Sequence, residues 1–189
     1  PLIVAVREQL EHRALWMYLL CDEARKKGAD PDEFAPAAIS ENSFSIIVFT
    51  DIHFGTLEES FWKNFLNWME LKKTELGSAC PLKFIVCLGD VTSEASTSEY
   101  KEYRKFCDEV FSRTGLKIYT IPGNHDLYNS GWDNWEKYVW PHTGAYTFTT
   151  KNENGNLSWY FLDSANGTLG NVANFLLLLG LQKLPASAQ

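Results

Sequence analysis

Lys83-Phe84-Ile85-Val86-Cys87-Leu88-Gly89-Asp90 is a run of apolar residues that stops at a glycine and a carboxylate. A continuous apolar run bounded by polar residues reads as a strand covered on both faces. The same signature stands upstream in Ser45-Ile46-Ile47-Val48-Phe49-Thr50, ended by Asp51-Ile52-His53. It stands again downstream in Leu116-Lys117-Ile118-Tyr119-Thr120-Ile121, ended by Pro122-Gly123-Asn124-His125-Asp126. Between these runs the apolar period changes to that of a helix. Residues 58–74 carry Phe61, Trp62, Phe65, Trp68 and Met69, and residues 97–112 carry Tyr100, Tyr103, Phe106, Cys107 and Val110. Strand, helix, strand, helix, strand at this spacing predicts βαβ units and a parallel sheet. A short helix over 132–140 and a hairpin of strands 146–149 and 158–162 around a polar 152–156 turn follow, so the sheet is expected to turn mixed or antiparallel there.

The chain has 189 residues, with 17 Lys+Arg against 24 Asp+Glu and a formal charge of −7. At about 150 residues per domain this is one domain with an appendage. Apolar residues make up 45% and aromatics 14%, which excludes a disordered chain. The acidic balance argues against an extended nucleic-acid or anionic-membrane surface. No run of consecutive apolar residues, that over 175–179 included, approaches the ~20 residues that span a bilayer. Four cysteines, Cys21, Cys80, Cys87 and Cys107, form no C-x-x-C pair, and with no signal-like start they suggest a cytoplasmic setting. Residues 2–27 have a helical period. The expected organisation is a helical segment over 1–40, a core over 41–170 and an apolar tail over 171–189.

In open α/β sheets the ligand crevice lies beyond the carboxyl ends of the strands. Each polar cluster sits at such an end. In extended chain Asp51 and His53, two apart, point the same way and converge on one ion. Asp90 follows a glycine that permits close approach, and a carboxylate can bridge two metals ~3.5–4 Å apart. Asn124 offers an amide oxygen to a second ion. His125, adjacent to it, points elsewhere and is free for proton transfer, with Asp126 a candidate to orient it. The bland readings also have places. His142 reads as a loop residue, His12 as part of a solvated helix face, and Trp132, Trp135 and Trp140 as core or pocket wall.

D-x-H, G-D and G-N-H-D, each after a buried strand, resemble the calcineurin-like metallophosphoesterases. Phe161-Leu162-Asp163-Ser164 resembles that family's next strand, and the likeness spans roughly 44–170. It implies a layered α/β fold, a β-sandwich flanked by helices, here with an added N-terminal helix. It also implies a dinuclear site that hydrolyses phosphate esters by in-line attack of a metal-bound hydroxide. Asp51 and His53 would hold the first ion, Asp90 would bridge, Asn124 would hold the second, and His125 would stand near the leaving oxygen. The two divalent ions would be Mn, Fe or Zn.

The family pattern continues with a downstream His and a Gly-His-x-His motif. This chain has four His in all, His12, His53, His125 and His142. None follows Asp163. The expectation is therefore a fold incomplete on its C-terminal side, with weak metal binding and little turnover unless another chain supplies ligands. The alternatives are a non-catalytic fragment or interaction module on the same scaffold, and a homo-oligomer that covers an exposed sheet edge and shares its sites.

Overall fold

The structure, a computed structural model, describes residues 43–165 apart from 143, 153 and 154. The expected N-terminal helix and the apolar tail lie outside the described residues. Strand β1 is Ser45–Phe49, helix α1 Glu59–Leu76, strand β2 Leu82–Cys87, helix α2 Thr97–Thr114 and strand β3 Ile118–Thr120. A 3-10 segment over His125–Ser130 leads into helix α3, Gly131–Tyr138, and then into β4, Tyr146–Asn152, and β5, Gly155–Phe161.

The first three strands form a parallel sheet in the order β1-β2-β3. Its register levels the strand ends: Phe49 pairs with Cys87, and Cys87 with Thr120. The loops that follow therefore leave the sheet along one rim.

Side-chain alternation sorts the sheet into two cores. Ile47, Ile85, Cys87 and Ile118 face the helices, where Leu66, Met69, Tyr103 and Phe106 close around them. Phe84, Val86 and Tyr119 face the other way, onto Tyr146, Phe148 and Phe161 of the hairpin. Both faces of β2 are covered, as its unbroken apolar run requires.

The hairpin differs from expectation. β4 and β5 pair antiparallel with each other, as a separate two-stranded sheet. They cover the parallel sheet instead of extending it, because the face carrying Phe84 and Tyr119 needs apolar cover. Tyr119 lies 4.6 Å from Phe148, ring centre to ring centre. Of the tryptophans, Trp135 is fully buried, Trp140 packs on the hairpin-side core, and Trp132 is partly exposed.

The cysteines read as apolar packing behave that way. Cys87 is buried and Cys107 partly buried, and both are free. Burial raises the Cys87 thiol and pushes that of Cys107 up to about 12. Both are thus held protonated and unreactive at neutral pH.

Helix α2 begins with a capping box. Ser96 Oγ accepts from the Glu99 amide, and the Glu99 carboxylate accepts from the Ser96 amide at 2.8 Å. The same carboxylate accepts from Glu94 N–H at 3.2 Å, so the cap also fixes the loop after β2. Ser96→Ala should lower unfolding free energy by about 1 kcal/mol, read as a shift of the urea midpoint at unchanged slope.

Candidate metal centre

The loops after β1 and β2 run side by side and are tied by backbone hydrogen bonds. Asp51 N–H donates to the Gly89 carbonyl at 3.1 Å, His53 N–H to Asp90 at 3.1 Å and Phe54 N–H to Val91 at 2.8 Å. Ser93 N–H returns a bond to Phe54 at 3.1 Å. This ladder continues the sheet past its formal end and fixes the first two polar clusters against each other.

The third cluster is brought in by glycines. A Cβ built on Gly89 would stand 2.3 Å from Gly123 N, and one on Gly123 would stand 2.2 Å from Asp90 Oδ1. Neither contact has room for a side chain, so the loops after β2 and β3 touch backbone to backbone. His125 N–H then donates to Asp90 Oδ1 at 2.9 Å.

Three of the residues so assembled have left-handed backbones. φ is +56° at Asp51, +47° at His53 and +50° at Asp90. Non-glycine residues adopt this region rarely, at a cost of order 1–3 kcal/mol each, and such residues gather at functional sites. The ladder hydrogen bonds, each worth about 1 kcal/mol net, offset part of that strain.

This corrects one expectation. Asp51 and His53 do converge, with Oδ1 and Nε2 3.7 Å apart. They do so through two left-handed kinks, not through the alternation of an extended strand.

The result is a compact donor set. One ligand atom from each of His53, Asp90 and His125 lies within 4.8 Å of the others. The rings of His53 and His125 meet edge to face, at 4.8 Å between centres. His125 thus turns toward His53 and Asp90, although its place beside Asn124 suggested that it would point away. Its Nδ1 lies 2.8 Å from the Ser93 carbonyl. A carbonyl only accepts, so Nδ1 carries the proton and Nε2 presents the lone pair. Such a backbone partner fixes the tautomer of a metal-binding imidazole.

The family model for calcineurin-like phosphoesterases matches residues 44–185. The chain belongs to that family. No curated protein sequence matches it.

In this calcineurin-like phosphoesterase the other two expected site residues have different surroundings. Asn124 is exposed, and its amide nitrogen donates to the Tyr128 hydroxyl at 3.0 Å. Tyr128 lies against His125, 4.7 Å between ring centres. Asp126 is fully buried. Its Oδ1 accepts from Thr92 N–H at 3.0 Å and from Thr92 Oγ1 at 2.9 Å, and its Oδ2 from Gly123 N–H at 2.9 Å. Burial raises its carboxyl pKa, against the opposing pull of the Gly123 and Thr92 hydrogen bonds. The partner of His125 Nδ1 is therefore the Ser93 carbonyl, while Asp126 binds the second and third loops together.

Thr92, Ser93 and Glu99 have no place among the sequence expectations, and Tyr100 has one only as part of a helix stripe. Tyr100 donates its hydroxyl to the Asp126 carbonyl at 2.5 Å. Glu99 was legible, because Ser96-x-x-Glu99 ahead of an apolar stripe is a capping-box pattern. Thr92 and Ser93 carry no local signal, since their roles depend on contacts 34 and 32 residues away. Among the described residues, no helix is long and apolar enough to cross a membrane.

Proposed function

We propose that this calcineurin-like phosphoesterase is a metal-dependent phosphoester hydrolase that holds divalent ions at Asp51, His53, Asp90 and Asn124. The observation that carries the reading is the convergence of His53, Asp90 and His125 within 4.8 Å, on loops strained to make it. Mixed imidazole and carboxylate donors suit Mn, Fe or Zn. When bound, the ions neutralise charge on the phosphoryl oxygens and activate water for in-line attack.

The acidic chain itself supports the requirement. Asp51 and Asp90 repel a phosphate ester, so an anionic substrate approaches only when cations reverse the local sign. Asp90, which touches both neighbouring loops, is suited to bridge two ions. Asn124 would give the second ion an amide oxygen. His125, once protonated on Nε2, would donate that proton to the leaving-group oxygen or stabilise its charge. Asp126 is a positioning residue in this scheme. Its three hydrogen bonds set Gly123, and with it the reach of Asn124 and His125.

A second reading of His125 has its own observation. One of its ring nitrogens stands as close to His53 and Asp90 as a third ligand would. Bound metal, measured together with hydrolysis of aryl phosphate mono- and diesters, tests the function. His125→Ala separates its two roles. As an acid its loss lowers turnover by about 10²–10⁴ with metal retained; as a ligand its loss removes the metal as well. A chain that neither binds metal nor hydrolyses either ester overturns the reading and favours an interaction module on the same scaffold.

A further inference from the structure

We propose that the organic group of the ester occupies the apolar cleft between the end of β1 and helix α1, and that this group is an uncharged aromatic alcohol. The proposal rests on the phosphoester hydrolase reading and names the substrate class of that same site. The cleft holds about 480 Å³, within the range of small-molecule sites. Asp51 lines it, and Asp51 Oδ1 lies 3.7 Å from His53 Nε2, so the cleft borders the candidate metal centre. A second cavity, about 210 Å³ beside β3, is lined by none of Asp51, His53, Asp90 and His125. With a phosphorus atom held at that cluster, the β1–α1 cleft is a neighbouring apolar space for what the phosphate carries.

Its walls are aromatic. Phe49 meets Phe65 edge to face at 5.3 Å, and Phe65 stacks on Trp68 at 5.8 Å with 19° between planes. Phe61 and Trp68 remain 69% and 43% exposed. Such rings lose water readily and accept a further ring in stacked or edge geometry. Asn64 supplies a polar contact on the wall. Among the described residues no Lys or Arg lines the cleft, so a second anionic group would find no partner on its apolar wall, which selects an uncharged aryl group over a polyphosphate.

The test uses the metal-loaded full chain and two non-hydrolysable probes, phenylphosphonate and methylphosphonate, titrated calorimetrically. Phenylphosphonate should bind about tenfold more tightly, a difference of about 1.4 kcal/mol. Trp68→Ala and Phe61→Ala should each bring the ratio toward one. Leu71→Ala, exposed on the same helix outside the cleft, should keep it. Circular dichroism checks that the variants fold. A parental ratio near one, with methylphosphonate still bound, overturns the cleft and leaves the hydrolase reading standing. If neither probe binds, the hydrolase reading fails and the cleft falls with it. A ratio that survives both cleft variants also overturns the proposal. So does a molecular mass that drops with Trp68→Ala at unchanged ratio, which would give this face to a second copy of the chain.

Discussion

Asp90→Asn should fold like the parent and lose the metal, with phosphoester turnover falling in step. The substitution separates charge from shape. Asp90 accepts His125 N–H through Oδ1 at 2.9 Å, and an asparagine oxygen can accept the same bond. Asn also tolerates the left-handed backbone at this position, φ +50°. The unfolding free energy should therefore move by less than about 1 kcal/mol. What disappears is the negative charge facing His53 and His125. Groups that only orient ligands are already worth about 10–100-fold in metal affinity, so a proposed bridging ligand should cost about 100-fold or more. Metal content after dialysis, isothermal titration and aryl phosphate hydrolysis read the effect. Metal affinity equal to the parent would remove Asp90 from the proposed shell.

Gly89→Ala should do the reverse and damage the fold first. At φ +99° any side chain is strained, and the new Cβ would meet Gly123 N at 2.3 Å and Gly123 Cα at 2.7 Å. Both obstacles are backbone, and the loop they belong to is held by the buried Asp126 carboxylate. The loops after β2 and β3 must separate, so the loss should be about 3 kcal/mol or more. Gly115→Ala is the matched control. Gly115 also has positive φ, +70°, yet nothing lies within 4 Å of its added Cβ. It should cost about 1–2 kcal/mol, the conformational penalty alone. Urea unfolding of the pair isolates the close approach. Equal losses would show that the contact between Gly89 and Gly123 contributes nothing beyond backbone strain.

Much of the architecture is written in local pattern. The unbroken apolar runs at 45–50, 83–88 and 116–121 mark strands covered on both faces, and the helical periods between them impose parallel order. From parallel order it follows that Asp51, Asp90 and Asn124 leave the sheet on one rim. The register, level at Phe49, Cys87 and Thr120, makes that rim narrow enough for their loops to touch. The shared rim that carries the candidate residues is therefore legible in the sequence. Short-range patterning fixes which elements form and which end of each one carries chemistry, because burial on two faces and helical period are properties of neighbours in the chain.

Packing over distance decides the rest. The hairpin pattern marked two strands but not their partner. The aromatic face of Phe84 and Tyr119, which needs apolar cover, makes them a cover instead of an extension of the sheet. The order Asn124-His125-Asp126 suggested an imidazole turned away from the metal and steered by the next carboxylate. Gly89 and Gly123, packed without side chains between them, swing His125 against Asp90. Asp126 meanwhile finds Thr92 and Gly123, and the Ser93 carbonyl takes the imidazole Nδ1–H. Residue spacing gives the composition of a site, but the backbone torsions and long-range hydrogen bonds that aim each donor arise only when three loops are pressed together.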